Sequence, residues 1–132
     1  MGVLLNVDDA GTIHFIQDEK EVMTMTEETD EKSGRVVIAL TGKMILEAVP
    51  GFSDEVYALV SLGEKITLDL EGLTYICESG IQSLIHIQQE VERKDKNECL
   101  LITAVPDEIM KAMKSIGAPD LLVLQEKRGK KK

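Results

Sequence analysis

Apolar residues recur with two different periods along this chain, and the sharpest change of period lies in residues 66–89, ITLDLEGLTYICESGIQSLIHIQQ. Ile66, Leu68 and Leu70 alternate with Thr67 and Asp69, the period-2 signature of a strand. Gly72 interrupts the run, and Leu73, Tyr75 and Ile76 carry it on in β-favouring residue types. Then Ile81, Leu84, Ile87 and Val91, with Ile85 beside them, fall three or four apart, as on one face of a helix. Ser79 sits at the change of period, with Gly80 behind it and Gln82 three residues on. That pattern predicts an N-cap at Ser79, in a capping box with Gln82.

The same reading covers the rest of the chain. Two apolar runs, Val3-Leu4-Leu5 with Val7 and Thr12-Ile13-His14-Phe15-Ile16, flank the turn residues Asp8-Asp9-Ala10-Gly11, and predict a hairpin over residues 1–17. After the charged break Asp18-Glu19-Lys20-Glu21, Val22-Met23-Thr24-Met25-Thr26 reads as a strand. Val36-Val37-Ile38-Ala39-Leu40 suits a strand buried on both faces, closed by Gly42-Lys43-Met44. Pro50-Gly51 is a break, after which Ser53 caps a helix whose inward face is Val56, Leu59 and Val60 and whose end is Gly63. Beyond the polar loop Lys94-Asp95-Lys96-Asn97, residues 99–105 read as a buried strand. Pro106-Asp107-Glu108 opens a helix with Ile109, Met113 and Ile116 on one face, widened by Met110. Gly117 stops it, and residues 121–124 form a last short strand. Strand, helix and strand from Ile66 to Val105 make a βαβ unit, so at least one pair of strands is expected to be parallel.

The central stretch resembles the core of a STAS domain, the fold of bacterial anti-sigma-factor antagonists. That family runs from a hydrophobic strand bearing an Asp, through a short apolar segment, into Asp-Ser-Ser/Thr-Gly opening a helix. Here Asp69 holds the strand position, Leu73-Thr74-Tyr75-Ile76 the apolar segment, and Cys77-Glu78-Ser79-Gly80 the motif. Cys77 replaces the usual Asp and Glu78 the first Ser; in the loop at Gly42-Lys43-Met44, Ile45 stands where the family often has Asp. The resemblance covers roughly residues 21–125. It implies a single α/β domain, a mixed β-sheet with helices packed largely on one face, to which residues 1–20 add an N-terminal hairpin extension. It places a phosphoacceptor at Ser79 and partner contacts at Glu78, Ser79, Gly80, Gln82 and Lys43. The partners it implies are an anti-sigma factor that is also a serine-protein kinase, and a phosphatase.

Composition narrows the function classes. Over 132 residues, 43% hydrophobic and 30% charged is ordinary for one soluble globular domain. An aromatic content of 3% leaves few platforms for stacking bases. Five of the 15 basic residues lie in the last six positions, so the rest of the chain sets 10 basic against 24 acidic residues, a net charge of −14. Such a body disfavours nucleic-acid binding, which needs Lys and Arg on phosphates. No apolar run approaches a membrane span and the start lacks a secretory signal, so a cytoplasmic protein without membrane insertion is expected, a monomer or weak dimer. Cys77 and Cys99 are expected at opposite sheet edges, as free thiols. Residues 126–132 read as a disordered basic tail, dispensable for partner binding.

The chemistry is sparse. A nucleophilic Ser79 needs a base within hydrogen-bond reach, and His86 is seven residues on, about 10 Å along the same helix. Nothing in the sequence selects His14 for that role. Two His and two Cys at wide spacing make no metal motif, and there is no Gly-rich phosphate loop, so no cofactor is expected. The chain reads as a non-enzymatic binding module, with Ser79 either a helix cap alone or the switch that the resemblance implies. The alternative is a STAS adaptor subunit docking without phosphorylation on an ATPase partner, such as that of a lipid transporter. Residues 21–125 are expected to fold without residues 1–17.

Overall fold

Tight turns lay the first strands side by side, and helices carry the chain between the later ones. The computed structural model describes residues 2–125. In chain order these are β1 (Leu4–Val7), β2 (Ile13–Gln17), β3 (Lys20–Thr29), β4 (Val36–Met44), α1 (Val49–Ser61), β5 (Ile66–Ile76), α2 (Glu78–Lys94), β6 (Leu101–Thr103), α3 (Asp107–Ser115) and β7 (Val123–Gln125). The basic tail lies outside the described residues. All the described strands form one sheet of seven in sequence order, β1-β2-β3-β4-β5-β6-β7. Pairs from β1 to β4 are antiparallel and pairs from β4 to β7 parallel. Each parallel step needs a crossover, and α1, α2 and α3 supply them. The expected mixed sheet, βαβ unit and N-terminal hairpin are all present. None of the described helices is long and apolar enough to cross a membrane.

Local chemistry sets the turns. The Asp8 carboxylate accepts from the Ala10 and Thr12 N–H groups at 2.9 and 3.0 Å, an Asx-type closure of the first hairpin. Asp18 and Glu19 both take positive φ, 54° and 66°, the geometry of a two-residue hairpin turn that follows strand twist. What read as a charged break is therefore the tip of a second hairpin.

One face of the sheet carries the core. Along β4, Val36, Ile38 and Leu40 are buried, whereas Val37 and Ala39 between them are half-buried. This corrects the reading of a strand buried on both faces: its apolar run is continuous, but its burial alternates. Met23 and Met25 of β3, Leu68 and Leu70 of β5 and Ile102 of β6 join the same cluster. So do Phe52 and Val56 of α1, Leu84 and Ile87 of α2, and Ile109 and Met113 of α3. Phe15 of β2, fully buried, belongs to it as well.

Several boundaries differ from the expected ones, each for a physical reason. Gly42 and Gly72 do not end or break their strands; β4 runs on to Met44 and β5 to Ile76. Gly42 has φ +91°, and a Cβ there would lie 2.4 Å from the Val22 carbonyl oxygen, so the glycine permits the sheet to continue. Helix α1 begins at Val49, not after Ser53, because Pro50 occupies the first turn, where its missing N–H is no loss. The Ser53 hydroxyl pairs instead with Ser83 of α2. Phe52 and not Leu59 is fully buried on α1, and Ile116 is exposed beyond the end of α3. The strand expected over residues 99–105 shortens to β6, and Leu121 belongs to a 3-10 turn before β7.

Arg35, which no sequence pattern singles out, ties the starts of the parallel strands together. Its guanidinium donates to the Thr67 hydroxyl at 2.9 Å, to the Ile66 and Cys99 carbonyls at 2.7 and 3.0 Å, and to the Glu98 carboxylate at 2.9 Å. Burial raises the Glu98 pKa, but the Arg35 hydrogen bond, with the Cys99 N–H and the charges of Arg35 and Lys65, brings it below the ordinary range. Replacing Arg35 by Ala strands two carbonyls and a partly buried carboxylate. Chemical denaturation of Arg35→Ala should show a loss of about 2–4 kcal/mol.

A pair of acids has the opposite effect. Glu27 of β3 shares a hydrogen bond with Glu55 of α1, and burial, then that bond and the Glu55 charge, push its pKa up to about 7. The folded state therefore keeps a proton that the unfolded chain releases near 4.5, and stability falls as pH rises through that window. His14, raised by hydrogen bonds to Asp8 and Glu21, works in the same direction. Thermal melts should show Tm falling between about pH 5 and about pH 8. Glu27→Gln should flatten part of that slope, with the His14 share remaining.

Candidate functional site

The carboxyl edge of β5 and the start of α2 form one structural unit. The Cys77 N–H donates to the Met44 carbonyl at 3.0 Å, so the ladder between β4 and β5 extends one residue past Ile76. That bond holds Cys77 extended, at φ −78° and ψ 166°, and its carbonyl accepts from the Ile81 N–H at 3.1 Å. Cys77 is thus the N-cap, and no side chain bonds the cap. This corrects the expected cap at Ser79, which is the second residue of the helix. Gln82 correspondingly makes no capping box; its amide reaches Glu78 at 3.4 Å. The sheet ladder, not the serine hydroxyl, fixes where the helix begins.

Releasing Ser79 from the cap leaves its side chain exposed in the first turn. Glu78, Ser79 and Gly80 have no carbonyl four residues back within the helix, so their N–H groups belong to its unsatisfied, positive end. An anion on the Ser79 hydroxyl would meet that end. Glu78 and Gln82 are exposed beside it, whereas Gly80 is buried. A Cβ on Gly80 would lie 2.9 Å from Ile76 Cγ1 and 2.9 Å from Met44 Sδ. Gly80 therefore sets the helix down against the ends of β4 and β5, and any contact it makes with a partner is through backbone.

Lys43 is exposed on the neighbouring strand, opposite Tyr75 in the parallel register. The Thr74 hydroxyl donates to the Gly42 carbonyl at 3.1 Å and binds this end of β5 to β4. The structure thus brings Lys43, Glu78, Ser79 and Gln82 to one edge of the sheet. It adds two residues the sequence reading did not weigh as contacts: Tyr75, 47% exposed, and Leu46, 60% exposed, in the 3-10 turn directly after β4. Tyr75 read in the sequence only as one of the β-favouring residues that continue the strand with Leu73 and Ile76. Leu46 carried no signal, because a lone Leu after a strand reads as core.

The remaining reactive side chains lie elsewhere. His14 has both ring nitrogens engaged, Nδ1 by Glu21 and Nε2 by Asp8 at 2.7 Å, and serves the edge hairpin, not Ser79. His86 is exposed on α2. Cys77 and Cys99 are half-buried free thiols. Among the described residues no group of three or more His, Cys, Asp or Glu could hold a metal ion.

Comparison with known proteins adds the family. No curated protein matches the chain by sequence. Among solved structures it is similar to an anti-sigma factor antagonist from Mycobacterium paratuberculosis, at 16% identity and a TM-score of 0.68, covering 77% of this chain and 84% of that one. It is also similar to the anti-sigma factor antagonist SpoIIAA in its unphosphorylated form, at 15% identity and a TM-score of 0.65, covering 80% and 89%. The Bacillus cell fate determinant SpoIIAA in the phosphorylated form gives 17%, 0.61, 80% and 92%. At these identities the likeness establishes a shared fold. The family model described as Mlab, STAS domain, matches residues 27–124, from the last residues of β3 to β7, and by that match the chain belongs to the STAS domain family.

Proposed function

We propose that this protein is an anti-sigma factor antagonist, a non-enzymatic cytoplasmic module whose docking on an anti-sigma factor is switched by phosphorylation of Ser79. The observation that carries the reading is the Ser79 hydroxyl itself, exposed in the first turn of α2 at the carboxyl edge of the sheet, with no capping bond to hold it. A kinase can reach such a hydroxyl without unfolding the domain, and a phosphate on it faces the positive end of the helix. Glu78 and Gln82, exposed on the first turns of α2, and Lys43, exposed near the end of β4, are the polar groups offered to a partner, and Leu46 and Tyr75 are the apolar ones. That SpoIIAA, with the same fold, is known in unphosphorylated and phosphorylated forms supports the reading. The partner is then an anti-sigma factor that is also the serine kinase, and a phosphatase resets the switch. Intact-mass analysis after incubation with ATP and that kinase tests it. A single phosphate, mapped to Ser79 and absent from Ser79→Ala, is expected; an unmodified chain would count against it.

One observation favours a second reading, that of a STAS adaptor docking on an ATPase partner without phosphorylation. Glu78 is exposed in the first turn, next to Ser79, and already places a carboxylate at the positive end of the helix.

A further inference from the structure

Among the described residues β1 is the outermost strand, paired on one side with β2 alone. The Asp8 N–H donates to the Thr12 carbonyl at 3.0 Å, in the register that sets Val7 opposite Ile13 and Asn6 opposite His14. Antiparallel bonding alternates residue by residue, so Leu4 and Asn6 share the inward sense of Asp8. Val3, Leu5 and Val7 therefore turn their N–H and C=O groups away from the sheet. Their side chains share one face. Leu5 stands opposite the fully buried Phe15 and lies against Gly51 of α1, and Val3 packs on the core. This is the helix-bearing face, yet Leu5 is 46% and Val7 62% exposed, and on the other face Leu4 is 73% exposed. Natural edge strands are usually blunted by a charge, a proline or a bulge, and Leu4–Val7 carries none of them.

We propose that β1 is a homodimer interface, pairing antiparallel with β1 of a second copy about a twofold axis at Leu5. This register sets Leu5 against Leu5 of the second copy and Val3 against Val7 of the second copy. It engages the outward backbone groups of all three residues in both copies with one another. It also matches side chains: all three residues are apolar and lie on the helix-bearing face in both copies, so the two cores become continuous across the axis. Leu4 meets Asn6 of the second copy on the open face. The strand has no charge of its own, which matters for a chain of net charge −9. The two Asp8 side chains fall at opposite ends of the pair, about 20 Å apart at about 3.4 Å per residue, beyond two Debye lengths in physiological salt. A second copy thus satisfies the edge with no other molecule needed. The paired strands are short, so the interface belongs to the weak class below about 1,200 Å² and the dimer depends on concentration.

Sedimentation equilibrium of the full chain, from low micromolar to several hundred micromolar, tests this. The mass should rise towards twice that of the chain, and rise further with added salt as repulsion between acidic bodies is screened. Leu5→Lys sets like charges opposite each other and should weaken association by at least about tenfold, while Leu4→Lys retains most of it. Under mild oxidation Leu5→Cys should cross-link to itself, since directly opposed Cα atoms lie about 5.5 Å apart, and Leu4→Cys should not. A monomeric mass at the highest concentration with no Leu5→Cys cross-link would overturn the proposal. So would a dimer that Leu5→Lys leaves intact. If Leu5→Lys fails to fold, the cysteine pair decides.

Discussion

Removing residues 1–17 should leave a chain that no longer unfolds cooperatively. β2 contributes the fully buried Phe15 and the buried Ile13 to the common core, and its removal turns β3 into an edge with Met23 and Met25 uncovered. Truncating one buried Phe to Ala costs about 3–5 kcal/mol, and a domain of this size has about 5–15 kcal/mol in all. Losing Phe15, Ile13 and the whole β2–β3 ladder together consumes most of that margin. The expectation that residues 21–125 fold alone takes no account of these two side chains. Urea titration followed by circular dichroism should show a broad, shallow transition for the truncated chain, and Phe15→Ala alone should lower the midpoint sharply. A truncated chain with a cooperative transition near that of the parent would return the hairpin to the status of an appendage.

The contrast shows what the sequence carries and what it does not. Strands with alternating or continuous apolar residues were legible from β1 to β5, and so was α2, because the apolar period of an element shows in the sequence. One parallel pair, β5 with β6, was legible from the strand, helix and strand between Ile66 and Val105; the order of the other strands came from the fold. Boundaries were legible only where one residue decides them alone, as Gly63 and Gly117 do at positive φ. At Ser79 the local pattern pointed to a cap, but a backbone bond from Cys77 to Met44, 33 residues earlier in the chain, fixed the helix start. No local rule contains that bond. The same holds for Pro50, a break by composition and a first-turn residue by context, and for Arg35, whose partners come from β5 and from the loop before β6. Within the candidate site, the resemblance named Lys43, Glu78, Ser79 and Gln82, which lie near the end of β4 and in the first turns of α2. Leu46 was missed because exposure of a lone apolar residue is a property of the fold, not of the sequence.

A phosphate on Ser79 should abolish docking while sparing the fold. It adds up to about two negative charges to an exposed hydroxyl beside Glu78, on a chain already strongly acidic. Inside the domain the helix N-terminus offsets that charge, and no buried group of the core is touched. A partner docked on Leu46 and Tyr75 would instead have to desolvate it, at a cost of several kcal/mol if it stays unpaired. Each 1.4 kcal/mol is about tenfold in affinity, so a loss of about 100-fold or more is expected. Because Ser79 is not the cap, Ser79→Ala should keep parental stability to within about 0.5 kcal/mol, whereas loss of a capping hydroxyl would cost about 1 kcal/mol. The most direct measurement is a calorimetric titration of the cognate anti-sigma factor with three chains: the parent, Ser79→Ala and Ser79→Asp. The predicted result is equal binding by the parent and Ser79→Ala, and binding weaker by about 100-fold or more for a fully folded Ser79→Asp. Equal affinity for all three would contradict the switch.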